Sequence, residues 1–162
     1  MIYNTINFEK MSVEEICEYL QQKYYNHILS GFDILKKYIH TCNLHEKDND
    51  DTHGIVRVLI NKLQQDCNLL ITNDTYILFP KIIDNNENIH QKTIDVFKKI
   101  HQNILLNLTK LKMLFNSYQQ EPYWNTYTQL SMVEMKNLDE NIRNSIYLKE
   151  NVLWSKIKII ED

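Results

Sequence analysis

Apolar residues recur every three or four positions along four stretches of this chain, and this spacing limits the fold more strongly than any other feature. The clearest stretch consists of Ile94, Phe97, His101, Ile104, Leu108, Leu111 and Phe115. Residues spaced in this way lie on one face of an α-helix, so the stretch predicts a long helix with one buried side. The chain has only two Gly and two Pro residues, too few for the many tight turns of a β-rich fold. The pattern therefore predicts a few long helices.

The other three stretches predict three more helices. The first begins at a capping box formed by Ser12 and Glu15 and continues to about Leu44. The second is expected to keep its buried face through Ile77 and to stop at Pro80, which lacks the N–H group that a helix needs. The last continues to near the C-terminus. Four long helices with short connections predict an all-α fold, an antiparallel up-down-up-down four-helix bundle.

Length, charge and targeting signals exclude several classes of protein. The 162 residues suit one domain, which we expect to span 1–162. A net charge of −3 with scattered basic residues argues against a nucleic-acid partner. The sequence shows neither a signal peptide nor an apolar run long enough for a bilayer, so we expect a cytoplasmic protein without a membrane partner. Three widely spaced cysteines, Cys17, Cys42 and Cys67, predict buried, reduced thiols.

Polar residues interrupt the apolar faces at four positions, namely Asp74, His101, Ser145 and Lys149. An acid or a lysine in a protein core needs a partner, because an isolated charge loses its hydration there. A metal ion is one such partner, since carboxylates and imidazoles that point inward from four helices form di-iron sites. These positions are therefore the candidate functional residues.

Four segments around these positions resemble the signature segments of hemerythrin-like, iron-sulfur-cluster repair di-iron proteins. In chain order they are SVEEICEYLQQKYYNHI, TYILFPKI, VFKKIHQNI and YLKENVLWSKI. The resemblance covers about residues 12–157 and depends on the order and spacing of the segments together. It implies a hemerythrin-like bundle with iron as its cofactor, and a role in iron-sulfur cluster repair or in the response to nitric oxide or oxidative stress.

The resemblance also implies which positions would bind the metal. His101 matches the histidine that the family carries on its third helix. Leu70 and Ser145 stand where the family has histidines on its second and fourth helices. Asp74 and Lys149 stand where it has the two glutamates that follow these histidines. Most ligand positions are therefore replaced, and Leu70, Ser145 and Lys149 are predicted to have lost the ability to bind iron.

A residual iron site would consist of His45, Asp74 and His101, with Tyr25 and His53 as weaker candidates. Tyr25 belongs to a Tyr-Tyr pair that replaces the family's tyrosine-histidine pair, and a tyrosine on a core face is also expected simply to pack there. His53 is equally compatible with a polar position at the start of the second helix. The sequence leaves both alternatives open.

Lys149 places a cation where the family has an anion that bridges two iron ions, and its charge would repel a metal. Because the two family carboxylates converge on one centre, Asp74 and Lys149 are predicted to form a buried ion pair. In the alternative arrangement, Lys149 extends to solvent at a helix end and Asp74 contacts water or a hydroxyl such as that of Ser145.

Two function classes follow from this reading. The replaced ligands favour a metal-free protein without catalytic residues or cofactor, which binds or regulates an unidentified protein partner. The alternative is a protein that binds one or two iron ions and acts in stress response or cluster repair, as the resemblance implies. The pattern leaves open whether the bundle forms a homodimer.

Overall fold

A computed structural model of the protein describes residues 6–45, 51–84, 89–121 and 124–161, and the side chains of 42–45 and 51–53 lie outside the described part. The described residues form four long helices, as the apolar spacing predicts. Helix α1 spans 13–45, α2 spans 51–84, α3 is Gln91–Leu114 and α4 spans 126–156.

Three of these helices contain one π-helical turn, in which the hydrogen bonds reach one residue further than in an α-helix. Helix α1 consists of Val13–Tyr19, the π turn Leu20–Tyr25 and Asn26–His45. Helix α2 consists of Asp51–Asn73, the π turn Asp74–Leu78 and Phe79–Asp84. Helix α4 consists of Thr126–Leu148, the π turn Lys149–Leu153 and Trp154–Lys156.

The predicted start of α1 is confirmed. The backbone N–H of Glu15 donates to Ser12 Oγ at 3.1 Å, and the Ser12 N–H donates to Glu15 Oε2 at 2.7 Å. The two bonds satisfy N–H groups that have no partner inside the helix, so the capping box fixes where α1 begins. The buried face predicted for α3 is also confirmed, with Phe115 half-buried just beyond the end of the helix.

The predictions for the end of α2 are wrong in two respects. Helix α2 does not stop at Pro80 but continues to Asp84, and Ile77 is 53% exposed rather than buried. Both differences follow from the π turn, whose extra residue rotates the following side chains, so that Leu78 and Phe79 face the core instead. Pro80 is the second residue after the turn, where the hydrogen-bond register is already changing and a missing N–H is tolerated.

The helices pack mainly as two pairs, α1 against α4 and α2 against α3. Gly31 lies where α1 crosses α4, and a Cβ at this position would come within 2.9 Å of Leu138 Cδ2 and 2.8 Å of Glu134 Oε1. The absence of a side chain therefore permits the close approach of these two helices. Two short parallel strands, β1 at Ile89–His90 and β2 at Ile159–Ile160, join the start of α3 to the segment that follows α4.

The core is built from the apolar faces of all four helices. Cys17 and Cys67 lie in it as free thiols, in agreement with the prediction, and burial raises the pKa of Cys17 to about 12. The side chain of Cys42 falls outside the described part of the chain. Within the described ranges, no helix combines the length and the apolarity that are needed to cross a bilayer.

Candidate functional site

Asp74, Lys149 and Tyr25 meet in the centre of the bundle, and we call these three residues the core cluster. Lys149 Nζ donates a hydrogen bond to Asp74 Oδ1, and the Tyr25 hydroxyl donates to Asp74 Oδ2 at 2.5 Å. Asp74 is 0% exposed, Lys149 1% and Tyr25 3%. The structure thus brings together an acid and a base from positions 75 residues apart, and it adds a phenol as a second donor to the acid.

Each residue of the core cluster stands on a π-helical turn. Tyr25 is the last residue of the turn in α1, Asp74 is the first residue of the turn in α2, and Lys149 is the first of the turn in α4. Asp74 and Lys149 continue the ordinary helical spacing of the buried faces, and each π turn shifts the direction of the side chains that follow them. Single-turn π segments of this kind are frequent at functional sites.

Burial and hydrogen bonding shift the pKa values of Asp74 and Lys149 in opposite directions. Burial raises the pKa of Asp74, while the Lys149 ammonium and the Tyr25 hydroxyl act against this rise. Burial likewise lowers the pKa of Lys149, against the effect of Asp74. The Lys149 ammonium also lies 4.0 Å from the centre of the Phe97 ring, whose face attracts a cation. These contacts stabilise the charged pair against the cost of removing it from water.

The phenol of Tyr25 acts only as a donor. Burial, followed by the neighbouring Asp74, raises the pKa of Tyr25 well above its ordinary value, so the hydroxyl keeps its proton. Its ring stacks on Phe79 with 6.1 Å between the ring centres. Both oxygens of the Asp74 carboxylate are thereby occupied by donors from other helices.

His101 forms a second polar contact in the core. Its Nδ1 lies 2.7 Å from Glu150 Oε1, and its ring stacks on Trp154 at 5.4 Å between centres. Burial, followed by the Lys149 charge, lowers the pKa of His101 to about 3, so the imidazole is neutral. An ionised Glu150 carboxylate can only accept, which makes Nδ1 the donor in this bond. Among the described residues, His101 Nε2 and Trp154 Nε1 are buried without a hydrogen-bond partner.

The donor set of the core does not fit the di-iron centre that the resemblance implies. In that centre the carboxylate at position 74 would bind metal, yet here its oxygens accept bonds from Lys149 and Tyr25. Within the part of the chain whose side chains are described, no three His, Cys, Asp or Glu residues lie together as metal ligands do. His45 and His53, both proposed as ligands from the sequence, have side chains outside this part.

The other positions that the resemblance assigns to metal ligands are occupied by groups that serve the fold. Leu70 is part of the apolar core. Ser145 is buried, and its hydroxyl donates to the backbone oxygen of Ile142 at 2.8 Å rather than to Asp74. Lys149 does not extend to solvent. The hydroxyl that binds Asp74 belongs to Tyr25, which sequence reasoning treated as a ligand or a packed ring.

Sequence reasoning also missed Glu150 and Trp154 as partners of His101. A signal for them exists in the likeness between the ends of α2 and α4. The Leu and aromatic pair of TYILFPKI, Leu78 and Phe79, is buried after one π turn, and the equivalent pair of ENVLWSKI, Leu153 and Trp154, is buried after the other. Aligning the two ends would have placed Trp154 in the core.

The comparisons with known proteins add no relative. A scan of the chain against protein-family models gives no match, and a search of curated proteins gives none either. Membership of the hemerythrin-like family therefore stays a prediction that rests on the four sequence segments.

Proposed function

We propose that this chain is a metal-free bundle of the hemerythrin-like type, with antiparallel helices, which has no catalytic activity and binds or regulates a protein partner. The observation that carries the proposal is the bond of the Lys149 ammonium to Asp74 at the position where the resemblance implies a metal-binding carboxylate. In this proposal the ammonium supplies the positive charge that iron supplies in the family.

The geometry of the core supports a structural role for its charged groups. Asp74, Lys149 and His101 are each at most 1% exposed, and each has a polar partner within the bundle. A catalytic acid, base or nucleophile must reach its substrate to within about 3 Å. These three groups are shielded from any substrate in solution, which supports a non-catalytic function.

The surface next to the core cluster supports a role in binding a protein. Tyr76 and Ile77 lie in the π turn that begins at Asp74 and face outward, where they are 76% and 53% exposed. Exposed aromatic and branched apolar side chains contribute strongly to protein interfaces once a partner covers them. The same local geometry therefore links the closed core with an apolar outer surface.

The test is to load the protein with ferrous iron without oxygen, desalt it, measure metal by mass spectrometry and record a visible spectrum in air. We expect no stoichiometric iron. A di-iron four-helix protein taken through the same steps is the positive control. About two irons per chain, as in di-iron bundles, together with an oxo-bridged absorption band, would overturn the proposal.

One observation favours the alternative, an iron-binding protein for stress response or cluster repair. His101 Nε2 is buried and has no hydrogen-bond partner among the described residues, and an imidazole nitrogen in this state is a suitable metal ligand. If iron binds through it, His101→Gln loses most of the bound iron, whereas Asn103→Gln, which changes an exposed residue of α3, retains it. Metal-free wild-type protein would exclude this alternative.

A further inference from the structure

A groove of about 560 Å³ lies between α1 and α2 on the outside of the core cluster, and we call it the α1–α2 groove. Its volume is within the range of about 300–1,000 Å³ that is usual for ligand sites. It is lined by Gln21, Gln22, Tyr25, Asn26 and Leu29 from α1, and by Asn68, Ile71, Thr72, Thr75 and Tyr76 from α2.

The carboxamide and threonine side chains of the groove form no bonds with the described part of the protein. Four carboxamides and two threonine hydroxyls line it, and none of them forms a side-chain hydrogen bond among the described residues; they are Gln21, Gln22, Asn26, Asn68, Thr72 and Thr75. Other helical hydroxyls, such as those of Thr41 and Thr109, donate to the carbonyl one turn earlier. The groove thus offers a set of free donors and acceptors on two helices.

No residue that lines the groove carries a charge, although 24% of the chain is charged. A charged ligand would lose hydration in the groove without gaining an opposite charge, so the lining favours a neutral ligand. A carboxamide presents one acceptor and a paired donor, which match the N–H and C=O of a peptide group. The chemistry of the lining is therefore suited to uncharged polypeptide backbone.

The dimensions also suit an extended peptide. The lining residues run from Gln21 to Leu29 on α1 and from Asn68 to Tyr76 on α2, each a length of about 12 Å at the helical rise of about 1.5 Å per residue. An extended chain covers this length with about four residues. Its side chains point alternately to opposite faces, so every second one would contact the apolar lining formed by Ile71 and Leu29.

The floor of the groove is held in place by the core cluster. Tyr25 lines the groove, while its hydroxyl is bonded to Asp74 and its ring is stacked on Phe79. A side chain fixed at both its ring and its hydroxyl loses little freedom when a ligand binds, which favours affinity. The buried ion pair and the groove are thus joined through one residue.

We propose that the α1–α2 groove binds a short, extended, uncharged peptide segment of a partner protein. This inference rests on the proposed interaction function and names the surface and the chemical class of its partner. The carboxamides pair with the peptide backbone, and the apolar lining accepts alternate side chains.

The test begins with selection from a phage-displayed library of random seven-residue peptides against the full chain. Enriched peptides are synthesised with a fluorescent label, and their affinity is measured by anisotropy. We expect the enriched sequences to be uncharged in their central four residues. Asn26→Asp and Asn68→Asp, which add a charge to the groove at exposed positions, are expected to weaken binding by about tenfold or more, since about 1.4 kcal/mol is lost per factor of ten.

Asn61→Asp is the matched control, because Asn61 is an exposed asparagine of α2, the helix of Asn68, and does not line the groove. We expect it to retain wild-type affinity, and circular dichroism should show that all three variants keep the helical fold. Failure to enrich peptides, enrichment of charged peptides only, or equal affinities in the groove and control variants would overturn the inference. Binding of neutral glycans in place of peptides, abolished by Asn68→Asp, would also overturn it.

The two proposals fail in different ways. Stoichiometric iron in the loading experiment would contradict the metal-free function, independently of the result of the peptide selection. Metal-free protein that selects no groove-dependent peptide removes only the assignment of the groove.

Discussion

The core cluster has a counterpart of the same chemistry on α4, where the cation is partly exposed. This second cluster, which we call the α4 cluster, contains an aspartate, a cation and a tyrosine, namely Asp139, Arg143 and Tyr118. Arg143 Nε donates to Asp139 Oδ1, and the Tyr118 hydroxyl donates to Asp139 Oδ2 at 2.8 Å. The two clusters therefore differ in their surroundings far more than in their bonding.

The difference lies in burial and in distance along the chain. Arg143 follows Asp139 by one helical turn, and its side chain is 38% exposed. The side chains of Lys149 and Asp74 are 1% and 0% exposed and come from positions 75 residues apart. The Asp139 side chain is only 5% exposed, so water reaches the α4 cluster mainly from the side of Arg143, whereas it reaches neither member of the core pair. The α4 pair is therefore expected to contribute little to the free energy of unfolding, and the core pair is expected to contribute much more.

The largest effect is expected from Lys149→Met, which leaves Asp74 buried without its cation. We expect a loss of about 3–5 kcal/mol in the free energy of unfolding, measured by urea denaturation. The control is Lys136→Met, because Lys136 forms an exposed pair with Glu140 at 3.9 Å and should change stability by less than about 1 kcal/mol. Equal stabilities of the two variants would remove the distinction between core and surface.

A smaller effect is expected from Tyr25→Phe, which keeps the ring but removes the hydroxyl that donates to Asp74. Hydrogen bonds to charged groups are worth about 1.5–3 kcal/mol, so we expect a loss in this range. The matching change in the α4 cluster, Tyr118→Phe, should cost about 1 kcal/mol, because Tyr118 is half-buried and the buried Asp139 keeps the partly exposed Arg143 as a partner. Thermal melts of the two variants side by side test the difference, and a larger loss for Tyr118→Phe would contradict it.

A still smaller effect is expected from Arg143→Ala in the α4 cluster. Exposed pairs one turn apart contribute about 0.3–0.5 kcal/mol and are screened by salt, and the burial of Asp139 raises the expected loss to about 1 kcal/mol. Unfolding in urea at low and at high salt should therefore show a small loss for Arg143→Ala that shrinks as salt rises. A loss comparable to that of Lys149→Met, unchanged by salt, would mean that burial does not separate the two clusters.

The smallest effect is expected when all three polar groups of the core cluster are replaced together. Tyr25→Phe, Asp74→Leu and Lys149→Met leave no buried polar group unpaired, and such replacements are often neutral or stabilising. We expect urea unfolding to show no loss of stability relative to the wild type. If Tyr25 is kept, the other two changes leave its buried hydroxyl without an acceptor. We expect the free energy of unfolding to fall by about 1–3 kcal/mol more in that case. A triple variant as unstable as Lys149→Met alone would show that the cluster is needed for packing itself.

The α4 cluster could have been read from the sequence in part, and the core cluster only as a hypothesis. An acid four residues before an arginine on a helix is a recognised pair, because the spacing alone brings the two side chains together. The pairing of Asp74 with Lys149 was inferred from a family resemblance, since no local pattern connects them. The role of Tyr25 as the second donor was missed, because the position of a tyrosine on a core face does not indicate which group its hydroxyl binds.

What the sequence by itself determined is local. The four helical stretches, the capping box at Ser12, the buried face of α3 and the need of Asp74 for a partner all follow from spacing and residue type over one or two helical turns. These features depend on backbone geometry that each segment carries within itself.

Only the tertiary structure decided where α2 ends, which side chains the π turns direct inward, and which donors occupy Asp74. A π turn forms where packing between helices outweighs the better hydrogen bonds of a regular α-helix, so its position depends on contacts with residues far along the chain. Ile77 faces solvent because of the π turn that begins at Asp74, whereas Lys149 faces the core at the ordinary helical spacing from Ile142 and Ser145.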